Sequence, residues 1–456
     1  MSGAGPDLTA ALGGLVRHAR PTRGAAAALA AARDRAVARL VAHAHARVPY
    51  WRRLFDEAGV DPRAVRTVAD LARIPPSARA ALQAEAPEAL VARGLRPDRL
   101  IARTSSGTSG QRFTVRRTWL EQNLLHLYRL RAEALIGARL RDHRVFVALE
   151  RAVEANDSKR LGRMLHRLGL VRRSRVSMLD EPAATLAHLR ALAPAIVGGY
   201  PSTLARVAEA AARTGLALPR PRLVITGAET LTPGLRARIE AAFAAPVRNL
   251  YGCSECNLLG WECPASGVLH TTDDAVIVEV LAPDGTPVAP GAQGEVVVTA
   301  LHNYAMPIIR YRLGDLARRP AAPCPCGLPF GALAALEGRV VDYFHLPDGR
   351  VVHPYLLTIH LVERTAPWAR QYQLVQERVD LVTLRLVPGP EAPGADAVAR
   401  VRAELAAALG PAVTVDVELA DGIAPGAGGK VRGTRSLVHA ARVAGEPARL
   451  AGGDRP

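Results

Sequence analysis

The chain reads as an α/β protein. It has a large N-terminal domain of parallel sheet with helices, extended by an antiparallel β subdomain, and a small α+β C-terminal domain. Three observations predict this. Between Arg144 and Tyr251 short β-rich runs alternate with helical patterns, the order that builds a mostly parallel sheet with helices on its faces. From Ala275 the helical patterns stop, and β-rich runs follow one another across a Pro283-Asp284-Gly285 turn. Beyond residue 342, three strand patterns flank one helix.

Taken in order, residues 1–100 read as helices interrupted at Pro49, Pro62, Pro75 and Pro76. Strands are expected at Leu100–Arg103, Phe113–Val115, Arg144–Leu149, Ala195–Val197, Arg222–Thr226 and Val247–Tyr251, and helices at Ser202–Thr214 and Thr232–Phe243. The antiparallel part is expected at Ala275–Leu281, Glu295–Leu301 and Ile308–Arg312. In the second domain, strands at Gln371–Gln376, Leu381–Val387 and Val413–Leu419 surround a helix at Asp396–Leu409, with Asp396 as its N-cap. The expected division is 1–341, 342–445 and a tail at 446–456.

With 456 residues, 49% of them hydrophobic, burial is not limiting and more than one domain is expected. The formal net charge is +17, but all 59 basic residues except Lys159 and Lys430 are arginine. They are spread among alanine-rich helical patterns, and only 4% of residues are aromatic. A nucleic-acid surface needs clustered charge with aromatic stacking, so no nucleic-acid partner is expected. The densest basic stretch, Lys159–Arg175, reads either as a solvated helix face or as a landing patch for a phosphorylated co-substrate. No run of about 18 apolar residues predicts a membrane span, and no secretory leader is legible, so a soluble cytoplasmic protein is expected.

Thr104-Ser105-Ser106-Gly107-Thr108-Ser109-Gly110 lies between two expected strands. Glycines let backbone N–H groups approach an anion, and hydroxyls add donors that rotate onto phosphate oxygens. It is not a Walker loop, because Gln111 and Arg112 stand where Lys and Ser/Thr are required. Leu250-Tyr251-Gly252-Cys253-Ser254-Glu255 closes an expected strand, where ligands of an open parallel sheet bind. Tyr251 can stack on a base and Glu255 can reach a phosphate-bridging magnesium ion. Tyr311 to Asp315 repeats an aromatic and an acid at an expected strand end, with Asp315 suited to ribose hydroxyls. Lys430 sits in the glycine-rich Pro425–Lys430 stretch, conspicuous where lysine is so scarce. Each of these stretches alone is also what an ordinary loop or strand end looks like.

In this order the motifs resemble the adenylate-forming superfamily, most closely its phenylacetate–CoA ligase branch. The resemblance runs through Val48-Pro49-Tyr50-Trp51-Arg52-Arg53-Leu54-Phe55, Gly59, the Ser/Thr/Gly loop, Gly227-Ala228-Glu229, Tyr251–Glu255 and Met306–Asp315. It continues through Glu337-Gly338-Arg339-Val340-Val341-Asp342 to Gly428-Gly429-Lys430. It implies a nucleotide-binding domain with a mobile C-terminal lid. It also implies two half-reactions: a carboxylate attacks the α-phosphorus of ATP, and a thiol, usually coenzyme A, then takes the acyl group. By the same resemblance Thr104–Gly110 hold the β- and γ-phosphates, and Ala228, Glu229 and Tyr251 border the adenine. Glu255 binds Mg2+, Asp315 the ribose, Arg339 lies near ribose and α-phosphate, Asp342 is the hinge, and Lys430 is the cation at the reacting oxygens. Expected partners are a small, aromatic carboxylic acid, ATP and an acceptor. An amine, a carrier-protein thiol, or a nitrite/aryl-amine pair stands as an alternative to coenzyme A, and a homodimer is left open. The chain departs from the family at Gln111-Arg112, where Gly-Lys-Pro is common, and at Cys253 and Cys256, where small residues are usual. Tyr200 and Trp261 are candidates either for the acyl pocket or for the core.

All five cysteines lie between positions 253 and 326, which disfavours a disulfide framework. Cys263, His270, Cys324 and Cys326 offer three thiolates and one imidazole, enough for a closed, structural zinc site, with Cys256 as a replacement for any of the four. Small buried thiols beside a surface histidine are the alternative.

Overall fold

The computed structural model describes residues 6–20, 22, 24–104, 113–148, 172–178, 180–339, 344–352, 357, 361–389, 393–424 and 433–438. The chain divides into two compact units, Met1–Ala228 with Ile239–Leu336, and Glu229–Arg238 with Glu337–Pro456.

The first unit begins with helices Leu8–Arg17, Ala25–Arg47 and Pro49–Glu57. Pro49 opens its helix, a first-turn position where a missing N–H costs nothing. A hairpin follows, β1 (Ile101–Thr104) against β2 (Thr114–Arg117), with Thr104 facing Thr114 in the last pair. Next come β3 (His143–Ala148), β4 (Arg172–Ser177), β5 (Ile196–Gly199), β6 (Leu223–Gly227) and β7 (Val247–Cys253), with helices Pro182–Leu192, Pro201–Thr214 and Pro233–Phe243 between them. The expected alternation is observed: β4, β3, β5, β6 and β7 lie side by side in parallel.

Three antiparallel strands extend that sheet beyond β7. They are β8 (Asn257–Glu262), β9 (Leu269–Thr271) and the two-residue β13 (Ala332–Leu333), giving the order β13-β9-β8-β7-β6-β5-β3-β4. Neither β8 nor β9 was expected. Gly252, Gly260 and the cysteines interrupt any apolar alternation there, and pairing with β7 decides the conformation. The antiparallel subdomain is present as β10 (Val276–Leu281), β11 (Gln293–Ala300), β12 (Tyr311–Arg318) and β14 (Ala335–Arg339), in that order.

Two expectations are corrected here. Ile308–Arg312 is not a strand, because Arg310 has φ 42°, a left-handed backbone that ends any extended run, and β12 starts only at Tyr311. Asp315 therefore lies within a strand and not at its end. The basic stretch is not a helix face at its C-terminal end, because Arg172, Arg173 and Arg175 lie on β4, paired with β3. Its earlier residues, Lys159 among them, lie outside the described residues.

The main core of this unit joins Val37, Leu40, Val41, Trp51 and Phe55 of the N-terminal helices to Val276, Ile277, Val296 and Val298 of the antiparallel sheet. Trp51 also donates its indole N–H to the Pro307 carbonyl at 3.1 Å, tying two motif segments 256 residues apart.

The second unit contains β15 (Phe344–His345) with β16 (Val351–Val352), and a sheet of β17 (Ala369–Arg378), β18 (Leu381–Pro388), β19 (Thr414–Leu419) and β20 (Thr434–Ser436) in the order β19-β18-β17-β20. Its core sets Leu374, Val382, Leu384 and Leu386 against Val401 and Leu405 of the helix Ala395–Leu409. Gly394, not Asp396, is the N-cap of that helix. Asp396 sits in the first turn, where a carboxylate is still favoured by the helix dipole. Among the described residues no helix is long and apolar enough to cross a membrane.

Candidate active site and metal centre

The end of β7 and the turn after it carry the first group of candidate residues. The turn is fixed from beneath by Arg117 of β2, only 1% exposed, which donates to the carbonyls of Ser254 and Glu255. Asn303 joins it, accepting from Arg117 Nε at 3.3 Å and donating to the Glu255 carbonyl at 3.1 Å. The chain just after Asn303 is held by Glu121, whose Oε1 accepts the N–H groups of Tyr304 and Ala305 at 2.6 and 2.8 Å. A buried guanidinium is costly unless its donors are met, so this arrangement specifies the path of the turn.

The Glu255 side chain is 2% exposed. Its Oε1 accepts from Arg79 Nη2 at 2.8 Å and from the Tyr311 hydroxyl at 3.3 Å, while Arg79 Nε donates to that hydroxyl at 3.1 Å. Burial, then the Glu255 charge, push the Tyr311 phenol above its ordinary pKa and keep it a neutral donor. Tyr311 stacks on Phe113 with ring centroids 6.0 Å apart and planes 16° apart. Phe113 immediately precedes β2, so the stem of the Ser/Thr/Gly hairpin packs beside Glu255.

Tyr251 and Asp315, 64 residues apart, meet directly: the phenol donates to Asp315 Oδ2 at 2.8 Å. Asp315 lies at an irregularity within β12. Glu295 pairs with Leu316 and Val297 with Arg312, so Leu313–Asp315 face the single residue Val296, and Gly314 takes φ 77°. Bulges beside ligand sites re-aim side chains in this way. Ala228 lies just past the end of β6, beside β7, with φ 66°. A left-handed alanine costs on the order of 1–2 kcal/mol and is retained where the surroundings require it.

The structure thus brings Tyr251, Glu255 and Asp315 to the carboxyl end of β7 and its neighbours, with Thr104 at the mouth of the hairpin and Ala228 at the adjoining strand end. Ser105, Ser106, Gly107, Thr108, Ser109, Gly110, Arg112, Asp342 and Lys430 lie outside the described residues. Arg339 is the last residue of β14, and Glu229 follows Ala228. Tyr200 is half-buried at the end of β5 and caps the helix Pro201–Thr214. Trp261 is a core residue, fully buried against Phe330. Arg79, Arg117 and Asn303 were missed, and Tyr311 was singled out as the aromatic of its motif without the role of its hydroxyl. One more basic residue among 59 gives no signal in sequence.

The second group is Cys263, His270, Cys324 and Cys326, whose ligand atoms all lie within 4.8 Å of one another. Cys324 Sγ is 3.6 Å from Cys263 Sγ, and His270 Nε2 is 3.1 Å from Cys326 Sγ. Zinc–thiolate bonds of about 2.3 Å in a tetrahedron place sulfurs just under 4 Å apart, so the donor set fits that ion. The Gly331 carbonyl can only accept, so His270 Nδ1, 3.1 Å from it, carries the proton and Nε2 turns its lone pair to the sulfurs. Cys256 is elsewhere: it is buried in the β7–β8 turn with its N–H on Cys253 Sγ at 3.3 Å. Protein purified without chelator is expected to carry about one zinc per chain by elemental analysis. Metal-free protein would exclude the site.

A family model described as AMP-binding enzyme matches residues 161–304. The phenylacetate-coenzyme A ligase of Thermus thermophilus is 30% identical over 379 residues, covering 77% of this chain and 78% of its own. That of Aromatoleum evansii is 28% identical over 374 residues, covering 77% and 80%. Among solved structures, 2-hydroxyisobutyryl-CoA ligase in the postadenylation state superposes with a TM-score of 0.73 over 92% of this chain and 91% of that one, at 22% identity, a likeness of fold. By its motifs, its fold and this similarity, the chain belongs to the AMP-binding, adenylate-forming enzymes, in the phenylacetate–coenzyme A ligase branch.

Proposed function

We propose that this chain is an ATP-dependent, AMP-forming acid–thiol ligase of the cytoplasm. It activates an aromatic carboxylic acid as the acyl-adenylate and passes the acyl group to coenzyme A. The observation that carries the reading is the convergence of Tyr251, Glu255 and Asp315 at the end of β7, beside the stem of the Ser/Thr/Gly hairpin.

In this reading Thr104–Gly110 cradle the β- and γ-phosphates of ATP. Ala228, Glu229 and Tyr251 border the adenine, with the ring of Tyr251 oriented by Asp315. Asp315, held half-exposed by its bulge, accepts from ribose, and Arg339 lies near the ribose and α-phosphate. Glu255 Oε1 is occupied by Arg79 and Tyr311, which leaves Oε2 for magnesium. When bound, that ion neutralises phosphate charge. The substrate carboxylate oxygen attacks the α-phosphorus, pyrophosphate leaves with the bonding electrons, and Lys430 meets the charge that builds at the reacting oxygens. The thiol then displaces AMP from the acyl carbon, after residues 342–445 have turned at Asp342. Zinc, held by Cys263, His270, Cys324 and Cys326, is structural, since four protein ligands leave no open position.

ATP–pyrophosphate exchange across a panel of aryl and alkyl carboxylates tests this. Exchange is expected with an aryl acid, followed by thioester formation on adding coenzyme A. Exchange with nitrite alone, or acyl transfer only to an amine, would overturn the assignment of acid or acceptor.

A further inference from the structure

Asp273 lies two residues beyond β9 and is 4% exposed. Its Oδ1 accepts the Thr271 hydroxyl at 2.6 Å and its Oδ2 accepts the Gly331 backbone N–H at 2.6 Å. The nearest cation in an ion pair with it, Arg33, stands off at 3.9 Å. A carboxylate withdrawn from water this far is costly unless it is hydrogen-bonded, and both of its oxygens are here. What depends on it is the position of Gly331. The carbonyl of that same residue accepts His270 Nδ1–H at 3.1 Å and the Thr271 N–H at 2.9 Å. Residue 331 must be glycine for this approach, because a Cβ there would stand 2.8 Å from Thr271 Oγ1 and 3.1 Å from Asp273 Oδ2.

We propose that Asp273 is a positioning residue for the metal centre, acting through Gly331 to hold the His270 ring with Nε2 toward Cys263, Cys324 and Cys326. The proposal rests on the zinc reading above. Carboxylates often bond a metal-bound histidine directly. Here three thiolates, a neutral imidazole and a divalent ion already sum to one negative charge. Interposing a glycine gives the ring its orientation while keeping the second negative charge one residue away.

The test is zinc affinity, read by equilibrium competition with a chromogenic chelator on the full-length protein. Asp273→Ala removes both acceptor oxygens, so the Thr271 hydroxyl and the Gly331 N–H lose their partner together. Zinc affinity is expected to fall about 10–100-fold. The cobalt-substituted variant is expected to keep its tetrahedral d–d bands and thiolate charge-transfer band, showing the same four ligands. The His270 Nδ1–H proton resonance of the zinc form should exchange faster with water than in wild type. An Asp273→Ala protein that folds and binds zinc within twofold of wild type overturns the proposal. Should that variant fail to fold, Thr271→Val removes a donor instead of the acceptor charge. A smaller loss in the same direction is then expected, and unchanged affinity overturns the proposal equally. Wild type that binds no zinc removes the metal centre itself, a failure seen before any variant is made.

Discussion

Lys430→Ala is expected to slow acid-dependent ATP–pyrophosphate exchange by about 10²–10³ while changing ATP affinity far less. In the proposed reading the Ser/Thr/Gly loop takes the triphosphate in the ground state, and Tyr251, Asp315 and their neighbours take adenosine. That reading assigns Lys430 no part in holding ground-state ATP. As the carboxylate closes on the α-phosphorus, charge concentrates on the entering oxygen and the non-bridging oxygens together. A preplaced ammonium acts on that species more than on either reactant, so its loss falls on kcat. Lys430→Arg should recover little, because a planar guanidinium cannot place a compact charge between two oxygens. The chain itself suggests this preference, since it uses arginine at nearly every other basic position. Exchange rates for wild type and the two variants, with nucleotide affinity from calorimetry, check it. Unaltered exchange in the alanine variant would remove Lys430 from the chemistry.

Asp274→Ala is expected to destabilise the first unit by about 3–5 kcal/mol at neutral pH. Arg131 donates to both oxygens of Asp274, at 2.5 and 2.7 Å, and the guanidinium lies over the rings of Tyr128 and Phe330, 5.2 and 4.8 Å from their centroids. His18, the C-cap of the first helix, adds a third bond at 3.1 Å. Removing the carboxylate leaves a buried guanidinium with no countercharge, the costly half of a broken pair. Replacing both, as Asp274→Leu with Arg131→Met, should restore most of the loss. The pH dependence has a definite sign. Burial pushes the Asp274 pKa up, but the hydrogen bonds from Arg131 and His18 outweigh it and hold the group at about 2, against an ordinary 3.8. This part of the stabilisation is therefore present above the ordinary carboxylate pKa of 3.8 and is lost as pH falls through about 2, so the gap between wild type and Asp274→Ala should narrow over that window. Urea unfolding of both proteins from pH 7 to pH 2.5, following the transition of the first unit, measures this. Parallel curves would refute it.

The parallel sheet was legible because strands buried on both faces need β-rich runs, and helices of 11–14 residues between them announce themselves by period. The Cys263, His270, Cys324 and Cys326 cluster was legible by residue type alone, since thiols and imidazole are few. What stayed hidden depends on contacts between distant segments. Arg117 reads as one arginine among many until β2 is laid beneath the Ser254–Glu255 turn. The strand pattern around Ile308 was misplaced because Arg310 gives up extended geometry. Its guanidinium is fixed instead by Glu279, at 3.0 and 3.2 Å, and by the Ile74 carbonyl at 2.7 Å. Asp315 looked like a strand-end acid, and only the bulge explains how a residue inside β12 reaches Tyr251.

Among the described residues the eight-stranded sheet ends at β4 on one side and at β13 on the other. A free sheet edge is a template on which another chain can add a strand, the first step of aggregation. β4 presents Arg172, Arg173 and Arg175, cations that a passing strand would have to desolvate, and β13 is two residues long, too short to propagate pairing. The arginines that look like a binding patch in the sequence thus have a defensive use. They oppose strand addition at the edge of a large, largely parallel sheet.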